Sequence, residues 1–196
     1  MINQAIHNAP VLGVILAGGR SSRMGGRDKF LLTLGGKTIL DHITERLSPQ
    51  VDKLILNANR QIDTALEVVP DLEQSAGPMA GLYTALNYAK ENDFSHIVTV
   101  PCDTPFIPDD FVLRLLEHSE NPIVAAKSAG RIHPVLALWH ISLLDELKQA
   151  LQYNQRKMMD FIAGYPVSEV CWDTAADPFF NINTADDLAA AEKLVK

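Results

Sequence analysis

The sequence is poor in the features that mark disulfide-stapled, zinc-binding or membrane-spanning proteins. Its two cysteines, Cys102 and Cys171, have no CxxC spacing, so neither a disulfide framework nor a Cys-based zinc site is expected. We predict two ordinary buried thiols. The longest apolar run, 11–17, includes one glycine and is far shorter than the ~20 residues that a transmembrane helix needs. This run predicts a buried strand and no membrane partner.

The amino terminus lacks the marks of an export signal. Residues 1–10 have neither a basic start nor an apolar stretch of secretory length, which predicts a cytoplasmic protein with a flexible N-terminal arm over 1–10. The 196 residues are 47% hydrophobic and 21% charged, a balance that supports one folded core. We therefore predict a single domain over 1–196.

Positive charge is scarce over the chain as a whole but concentrated in one segment. Seventeen Lys and Arg stand against twenty-four Asp and Glu, a net charge of −7, which argues against nucleic-acid binding. Any anionic ligand must then be held locally. Four cations lie within 20–29, where Asp28 is the single acid: Arg20, Arg23, Arg27 and Lys29.

Short apolar runs alternate with amphipathic stretches, which is typical of an α/β domain with a mainly parallel sheet. The predicted strands are 11–16, 53–58, 67–69, 96–100, 123–126, 135–139 and 168–172. The predicted helices are 39–47, 79–90, 109–118, 141–152 and 184–194. Two of them begin with capping-box spacing, at Thr38 with Asp41 and at Thr184 with Asp187. Two functional loops are predicted, at 128–134 and 173–180.

A glycine-rich loop follows the first strand, where an open α/β sheet places its ligands. Its sequence over 16–29 is LAGGRSSRMGGRDK. Glycines let backbone N–H groups approach phosphate oxygens, and Arg23 and Lys29 add positive charge. The loop favours a polyphosphate ligand; an ordinary connection with solvated arginines is the alternative.

Two better-known phosphate loops do not fit this sequence. The spacing of Gly18, Gly19 and Gly25 does not match the dinucleotide pattern G-x-G-x-x-G. The triplet 36–38, Gly-Lys-Thr, resembles the end of a P-loop, but Leu31 stands where the first glycine is required. We interpret Gly35 and Gly36 as a turn.

Five motifs in this order resemble the molybdenum cofactor guanylyltransferase family over nearly the whole chain. They are LAGGRSSRMGGRDK at 16–29, NANR at 57–60, GPMAG at 77–81, PCDTPFIP at 101–108 and NINT at 181–184. The resemblance implies a Rossmann-like three-layer α/β domain of nucleotidyltransferase type. It also implies transfer of GMP from GTP to the terminal phosphate of molybdenum-loaded molybdopterin, with release of pyrophosphate.

The resemblance carries roles for individual residues. It implies that Arg23, Lys29 and Asp103 are catalytic and that Asp103 holds Mg²⁺. The implied nucleotide-binding residues are Leu16, Ala17, Gly18, Gly19, Lys29, Asn57, Asp71 and Asp103. The implied pterin-side residues are Gly77, Gly81, Asn181 and Asn183. Transient contacts with the molybdenum-insertion protein and with recipient molybdoenzymes are also implied.

The residues alone leave several of these roles open. Asp103 follows a predicted apolar strand, as a metal ligand at the sheet rim does, but an Asp there also caps turns. Asn57 suits a base edge or ribose as well as a turn. Asn181 and Asn183 alternate about Ile182, so both amides share one face of an extended segment, although Asn183 also precedes a helix cap.

Further basic residues are weaker candidates for an anionic acceptor, since isolated surface cations are usually solvated. They are Arg131, His133, Arg156 and Lys157. Two other enzyme activities would share the loop, the lysine and the metal Asp: a cytidylyltransferase for the same pterin and a sugar-phosphate nucleotidyltransferase. The non-enzyme alternative is a nucleotide-binding protein or pterin-cofactor carrier without turnover, which would not need the metal carboxylate. The Gly18–Gly19 pair resembles the guanylyl branch, and the chain has no room for the second domain of sugar enzymes.

Overall fold

A computed structural model describes residues 10–18, 28–73 and 77–195. Its centre is a seven-stranded sheet whose strands carry the β-branched and apolar runs of the sequence. These strands are β1 (Val11–Leu16), β4 (Lys53–Asn57), β5 (Glu67–Val69), β6 (His96–Pro101), β7 (Ile123–Ser128), β8 (Arg131–His140) and β9 (Val167–Cys171). A separate hairpin joins β2 (Thr33–Leu34) to β3 (Lys37–Thr38).

The strand order is β5-β4-β1-β6-β8-β7-β9. Only β8 runs antiparallel to its neighbours, so the predicted mainly parallel sheet is confirmed. The strands β4, β1 and β6 lie side by side, with Leu16 opposite both Asn57 and Pro101. Three parallel strands therefore end together at the centre of one edge, where open α/β sheets bind ligands.

Helices cover both faces of the sheet, which confirms the predicted three layers. One face packs on α1 (Ile39–Leu47), α3 (Phe111–Leu116) and α6 (Ala185–Glu192). The other packs on α2 (Pro78–Glu91), α4 (Leu144–Gln152) and α5 (Met158–Ile162). Both predicted capping boxes are present, with Thr38 and Thr184 accepting from the backbone N–H groups of Asp41 and Asp187. Gly35 and Gly36 form the hairpin turn, both at positive φ.

Two expectations from the sequence were wrong, and two short elements were not predicted. Residues 131–134 belong to β8 and not to a loop, because the chain turns at Ala129 and Gly130 and pairs at once with β7. The sequence did not predict α5 or the β2–β3 hairpin, which are too short for a periodicity signal. Cys171 is exposed at the end of β9 and not buried.

Cys102 is half-buried, and burial together with the neighbouring Asp103 carboxylate raises the pKa of its thiol to about 12. The thiol is therefore protonated near neutral pH, as a packing residue is. Both cysteines are free. The predicted N-terminal arm lies outside the described residues except for Pro10, and the single-domain organisation stays a prediction. Within 10–18, 28–73 and 77–195, no helix is long and apolar enough to cross a bilayer.

Candidate active site

A cleft of about 240 Å³ opens where β1, β4 and β6 end. Two backbone hydrogen bonds hold these ends together: Ala17 N–H donates to the Asn57 carbonyl at 2.9 Å, and Cys102 N–H donates to the Leu16 carbonyl at 3.1 Å. The cleft is lined by Leu16, Gly18, Asn57, Gly77, Pro78, Gly81, Pro101, Cys102, Asp103 and Val135. Six of these residues are among the thirteen predicted site residues, so the structure brings nearly half of the predicted set to the wall of one cleft.

Asn57 is 1% exposed, and its amide has a fixed orientation. Its Nδ2 group donates to the Val69 carbonyl at 3.1 Å and to Asp71 Oδ1 at 2.9 Å. Both partners are acceptors only, which assigns the NH₂ group to that side. The opposite atom, Oδ1, is buried and has no hydrogen-bond partner. An unpaired buried acceptor is costly, and a ligand donor in the cleft would satisfy it.

Asp71 is held by both asparagines of the NANR motif. Its Oδ1 accepts from Asn57, and its Oδ2 accepts from Asn59 Nδ2 at 2.7 Å. Its own N–H donates to Asn59 Oδ1 at 2.7 Å. Asp71 is therefore close to the cleft but outside its lining. Sequence reasoning did not place Asn59 in the site, although its alternation with Asn57 at a strand end was the available signal.

Asp103 lies beyond β6 on the rim of the cleft, with a carboxylate that is largely withdrawn from water. Burial raises the pKa of this carboxyl above its ordinary value, and the Lys29 charge opposes that shift. Asp103 Oδ1 is buried without a hydrogen-bond partner. A cation close to this oxygen would compensate for the lost hydration.

Lys29, the last residue of the glycine-rich motif, contacts the segment that precedes α6. Its Nζ donates to Asn183 Oδ1 at 2.8 Å. The neighbouring Ile182 is buried and its N–H donates to the Asp103 carbonyl at 2.9 Å. Asn181 lies on the other side of Ile182, and its Oδ1 accepts from Thr104 Oγ1 at 2.7 Å. The segment 181–183 thus holds Lys29 and the Asp103 turn together.

Two glycines of the GPMAG motif line the same cleft. Gly77 precedes α2 at a φ of 59°, a conformation that favours glycine. Gly81 lies on α2 against Asn57, and a Cβ at this position would overlap Asn57 Oδ1 and lie 2.8 Å from Leu16 Cδ2. Gly81 is therefore next to a predicted nucleotide-side residue, although the resemblance implied a pterin-side role.

Several predicted residues are elsewhere or outside the described part of the chain. Gly19 and Arg23 fall within 19–27, which the structure does not describe. Arg131 is exposed at the start of β8, and His133 contacts Ser128 Oγ at 2.8 Å. Arg156 lies beside a smaller polar cleft on α2 and α4. None of these three side chains is among the lining residues of the main cleft that the structure describes.

The sequence of the chain was compared with models of protein families and with the sequences of related proteins. The family model described as "MobA-like NTP transferase domain" matches residues 13–169, which span β1 to β9. A protein of Nitrobacter hamburgensis named "Molybdenum cofactor guanylyltransferase" is 41% identical over 197 residues, 94% of each chain. A protein of Rhizobium johnstonii with the same name is 41% identical and covers 98% of this chain and 97% of its own.

A solved structure supports the same relationship. The molybdopterin-guanine dinucleotide biosynthesis protein A of Archaeoglobus fulgidus superposes with a TM-score of 0.77 at 26% identity, covering 94% of this chain and 97% of that protein. A family model over most of the chain and relatives above 40% identity over almost its whole length agree with each other and with the cleft. The chain therefore belongs to the MobA-like NTP transferases, within the molybdenum cofactor guanylyltransferase family.

Proposed function

We propose that this nucleotidyltransferase transfers the GMP group of GTP to the terminal phosphate of molybdenum-loaded molybdopterin. The observation that carries the proposal is a single cleft on which two buried, unpartnered oxygens border, Asn57 Oδ1 and Asp103 Oδ1, with Lys29 nearby. Two oxygens that have no hydrogen-bond partner among the described residues, together with the positive charge of Lys29 close to Asp103, suit a nucleoside triphosphate with its metal.

The nucleotide would enter at the ends of β1 and β4. We assign its binding to Leu16, Ala17, Gly18, Gly19, Lys29, Asn57, Asp71 and Asp103. Support for this assignment comes from the position of Leu16, Gly18 and Asn57 on the cleft wall. Gly18 also lies beside Asp71, since a Cβ added at Gly18 would be in van der Waals contact with Asp71 Oδ2 at 3.5 Å. Residues 19–27, which include Gly19 and Arg23, follow Gly18 in the sequence and lie outside the described residues.

The residues present fit a divalent cation at Asp103. Its buried Oδ1 lacks a partner, and the raised pKa of the carboxyl reports an anion short of hydration. Mg²⁺ prefers hard oxygen ligands and keeps several waters, so one carboxylate together with substrate phosphates suffices. We propose Mg²⁺ as the metal and Asp103 as its protein ligand. When bound, the cation would supply positive charge to the phosphate oxygens.

The reaction needs charge compensation more than proton transfer. An oxygen of the acceptor phosphate forms a bond to the α-phosphorus of GTP, and the bond from that phosphorus to the bridging oxygen breaks, so that pyrophosphate leaves. The acceptor phosphate is already ionised near neutral pH, so no strong general base is required. Lys29 and Arg23 would stabilise the charge that builds on the pyrophosphate.

The acceptor, molybdenum-loaded molybdopterin, needs its own side of the site. Gly77, Gly81, Asn181 and Asn183 are assigned to it from their motifs, and Gly77 and Gly81 line the cleft. Asn181 and Asn183 additionally support the Asp103 turn and Lys29. Transient contacts with the molybdenum-insertion protein and with recipient molybdoenzymes, the single domain and a cytoplasmic location stay predictions.

The proposal is tested by pyrophosphate release with Mg²⁺ and molybdenum-loaded molybdopterin, with GTP, CTP, ATP and UTP assayed in parallel. Release with GTP and formation of the guanine dinucleotide are expected. A preference for CTP would move the chain to the cytidylyl branch with the same chemistry. If no nucleotide releases pyrophosphate in the presence of the acceptor, a carrier role without turnover replaces the proposed one.

A further inference from the structure

The cleft contains an amide whose orientation is set from outside the cleft. Asn57 presents Oδ1 to the cleft only because its Nδ2 group is bound on the opposite side by the Val69 carbonyl and Asp71. The Val69 carbonyl is backbone and cannot reorient. Asp71 is a side chain after β5, and its position depends on what holds it.

Asn59 supplies that support. It donates to Asp71 Oδ2 and accepts from the Asp71 backbone N–H, both at 2.7 Å. These two hydrogen bonds form a ring between the Asn59 side-chain amide and Asp71, and Asp71 is the residue whose carboxylate accepts from Asn57. Asn59 is exposed and does not line the cleft, so its contribution to ligand binding would be indirect.

The glycine at position 81 leaves the neighbourhood of Asn57 Oδ1 free of a side chain. A Cβ at Gly81 would overlap this oxygen, whereas a Cβ at Gly18 would lie 3.9 Å away, in ordinary van der Waals contact. Asn57 is 1% exposed and its Oδ1 has no hydrogen-bond partner among the described residues, so a hydrogen-bond donor of a ligand in the cleft would satisfy this acceptor. A nucleoside offers such donors as N–H groups of the base or O–H groups of the ribose.

We propose that Asn59 is a positioning residue for nucleotide binding: through Asp71 it holds the Asn57 amide with Oδ1 turned to the cleft, which thereby selects a nucleoside that presents a donor there. The inference rests on the proposed function, since it names a support for the same nucleotide site. Its consequence is that an exposed side chain outside the cleft controls affinity without touching the ligand.

The proposal is tested by calorimetric measurement of GTP binding. The proteins compared are wild type, Asn59→Ala, Asn57→Ala and the double variant. Asn59→Ala is expected to weaken GTP binding about fivefold, the equivalent of one net hydrogen bond. In turnover, its KM rises while kcat stays within about twofold, as for lost uniform binding. Because Asn59 acts through Asn57, the double variant should bind like Asn57→Ala alone.

Asn87→Ala is the matched control, since Asn87 is a partly exposed amide on α2 whose side chain donates to Glu91 Oε1 and to no other described residue. Asn57 is buried, so Asn57→Ser replaces Asn57→Ala if the alanine variant does not fold by circular dichroism. The proposal would be overturned if the fold-losses in GTP affinity of the two single variants multiplied in the double variant. It would also be overturned if Asn59→Ala lowered the melting temperature and left the GTP affinity unchanged.

Two analogues identify the donor. Purine riboside triphosphate has no donor on its base, and 2′,3′-dideoxy-GTP has none on its ribose. The analogue that lacks the donor contacted by Asn57 should bind equally to wild type and to Asn57→Ala. The analogue that retains this donor should bind more weakly to Asn57→Ala than to wild type. An equal penalty with both analogues contradicts selection by a nucleoside donor. Because binding is read without turnover, a failed pyrophosphate assay would count against the proposed function and leave this test intact.

Discussion

Two polar side chains near the end of β6, each with a buried oxygen, show how the core and the cleft differ. Thr99 is fully buried, and its hydroxyl donates to the Val135 carbonyl at 2.7 Å while accepting from Trp139 Nε1 at 3.0 Å. Asp103, four residues later, has a buried oxygen with no partner. Burial with complete pairing stabilises the fold, whereas burial without pairing leaves capacity for a ligand.

The comparison predicts opposite consequences for substitution at the two sites. Removing a paired group should lower stability and spare activity. Removing an unpaired group should spare stability and abolish activity. The largest expected effect is on the unpaired carboxylate.

Asp103→Ala should lower kcat/KM by about 10³-fold, because the cleft loses the carboxylate proposed to hold the metal. The melting temperature should stay the same or rise, since a buried oxygen without a partner is removed. Steady-state pyrophosphate release and thermal unfolding check both parts. Asp109→Ala is the control, because that side chain is exposed and pairs only with Arg46. Full activity of Asp103→Ala would remove the metal assignment.

Lys29→Ala should lower kcat/KM for GTP by about 10²-fold, since a charge that stabilises the leaving pyrophosphate is lost. The KM for GTP should rise with it, because triphosphate binding weakens as well. Lys37→Ala serves as control: that lysine is exposed and paired with Glu45 on α1. Kinetics indistinguishable from wild type would exclude Lys29 from the phosphate site.

Thr99→Val tests the paired half of the comparison. The methyl group that replaces the hydroxyl leaves Trp139 Nε1 without its acceptor in a fully buried position, so the free energy of unfolding should fall by about 2 kcal/mol. Activity of the folded protein should be unchanged. Urea denaturation beside GTP kinetics measures both, with the exposed Thr174→Val for reference. A variant with normal stability but impaired kinetics would place Thr99 with the cleft.

Asn183→Ala tests the hydrogen bond that holds Lys29 in place while the Lys29 charge itself is kept. The substitution removes one hydrogen bond to Nζ, so the KM for GTP should rise about fivefold. The Asn183 backbone N–H keeps its bond to Asp187, which preserves the start of α6. In a Lys29→Ala background the same substitution should have no further effect on GTP kinetics. A further loss there would indicate a separate contact of Asn183 with substrate.

The sequence predicted those features that depend on residues close together in the chain. The capping boxes at Thr38 and Thr184 depend on residues three positions apart, and the strand β1 depends on one apolar run. The carboxyl-end position of Asn57 and Asp103 followed from the alternation of strands and helices. These features need no knowledge of distant parts of the chain.

What the sequence missed depends on contacts between distant residues or on packing. Lys29 and Asn183 are 154 positions apart, and the motif of each gives no sign of the other. The support of Asp71 by Asn59 requires the return of the chain through β5. Likewise, the orientation of the Asn57 amide follows from which acceptors lie behind it.

The opposite end of β6 gives the smallest predicted effect. His96 packs edge-on against His140, with ring centroids 4.8 Å apart, and its Nδ1 contacts Ser95 Oγ. Burial, aided by His140, lowers the pKa of His96 to about 4. Between the ordinary His pKa of about 6.5 and this value, the unfolded chain binds a proton that the folded protein does not. The free energy of unfolding should therefore fall as pH decreases through this window.

For a half-buried ring, we expect this contribution to be about 1 kcal/mol between pH 7 and pH 5. His96→Gln keeps a polar side chain beside Ser95 but does not titrate, so its unfolding free energy should fall less than that of wild type over the same range. Urea denaturation of both proteins at the two pH values measures the difference. Equal losses would mean that His96 takes up its proton over the same pH range in the folded and the unfolded protein, so that burial beside His140 does not lower its pKa.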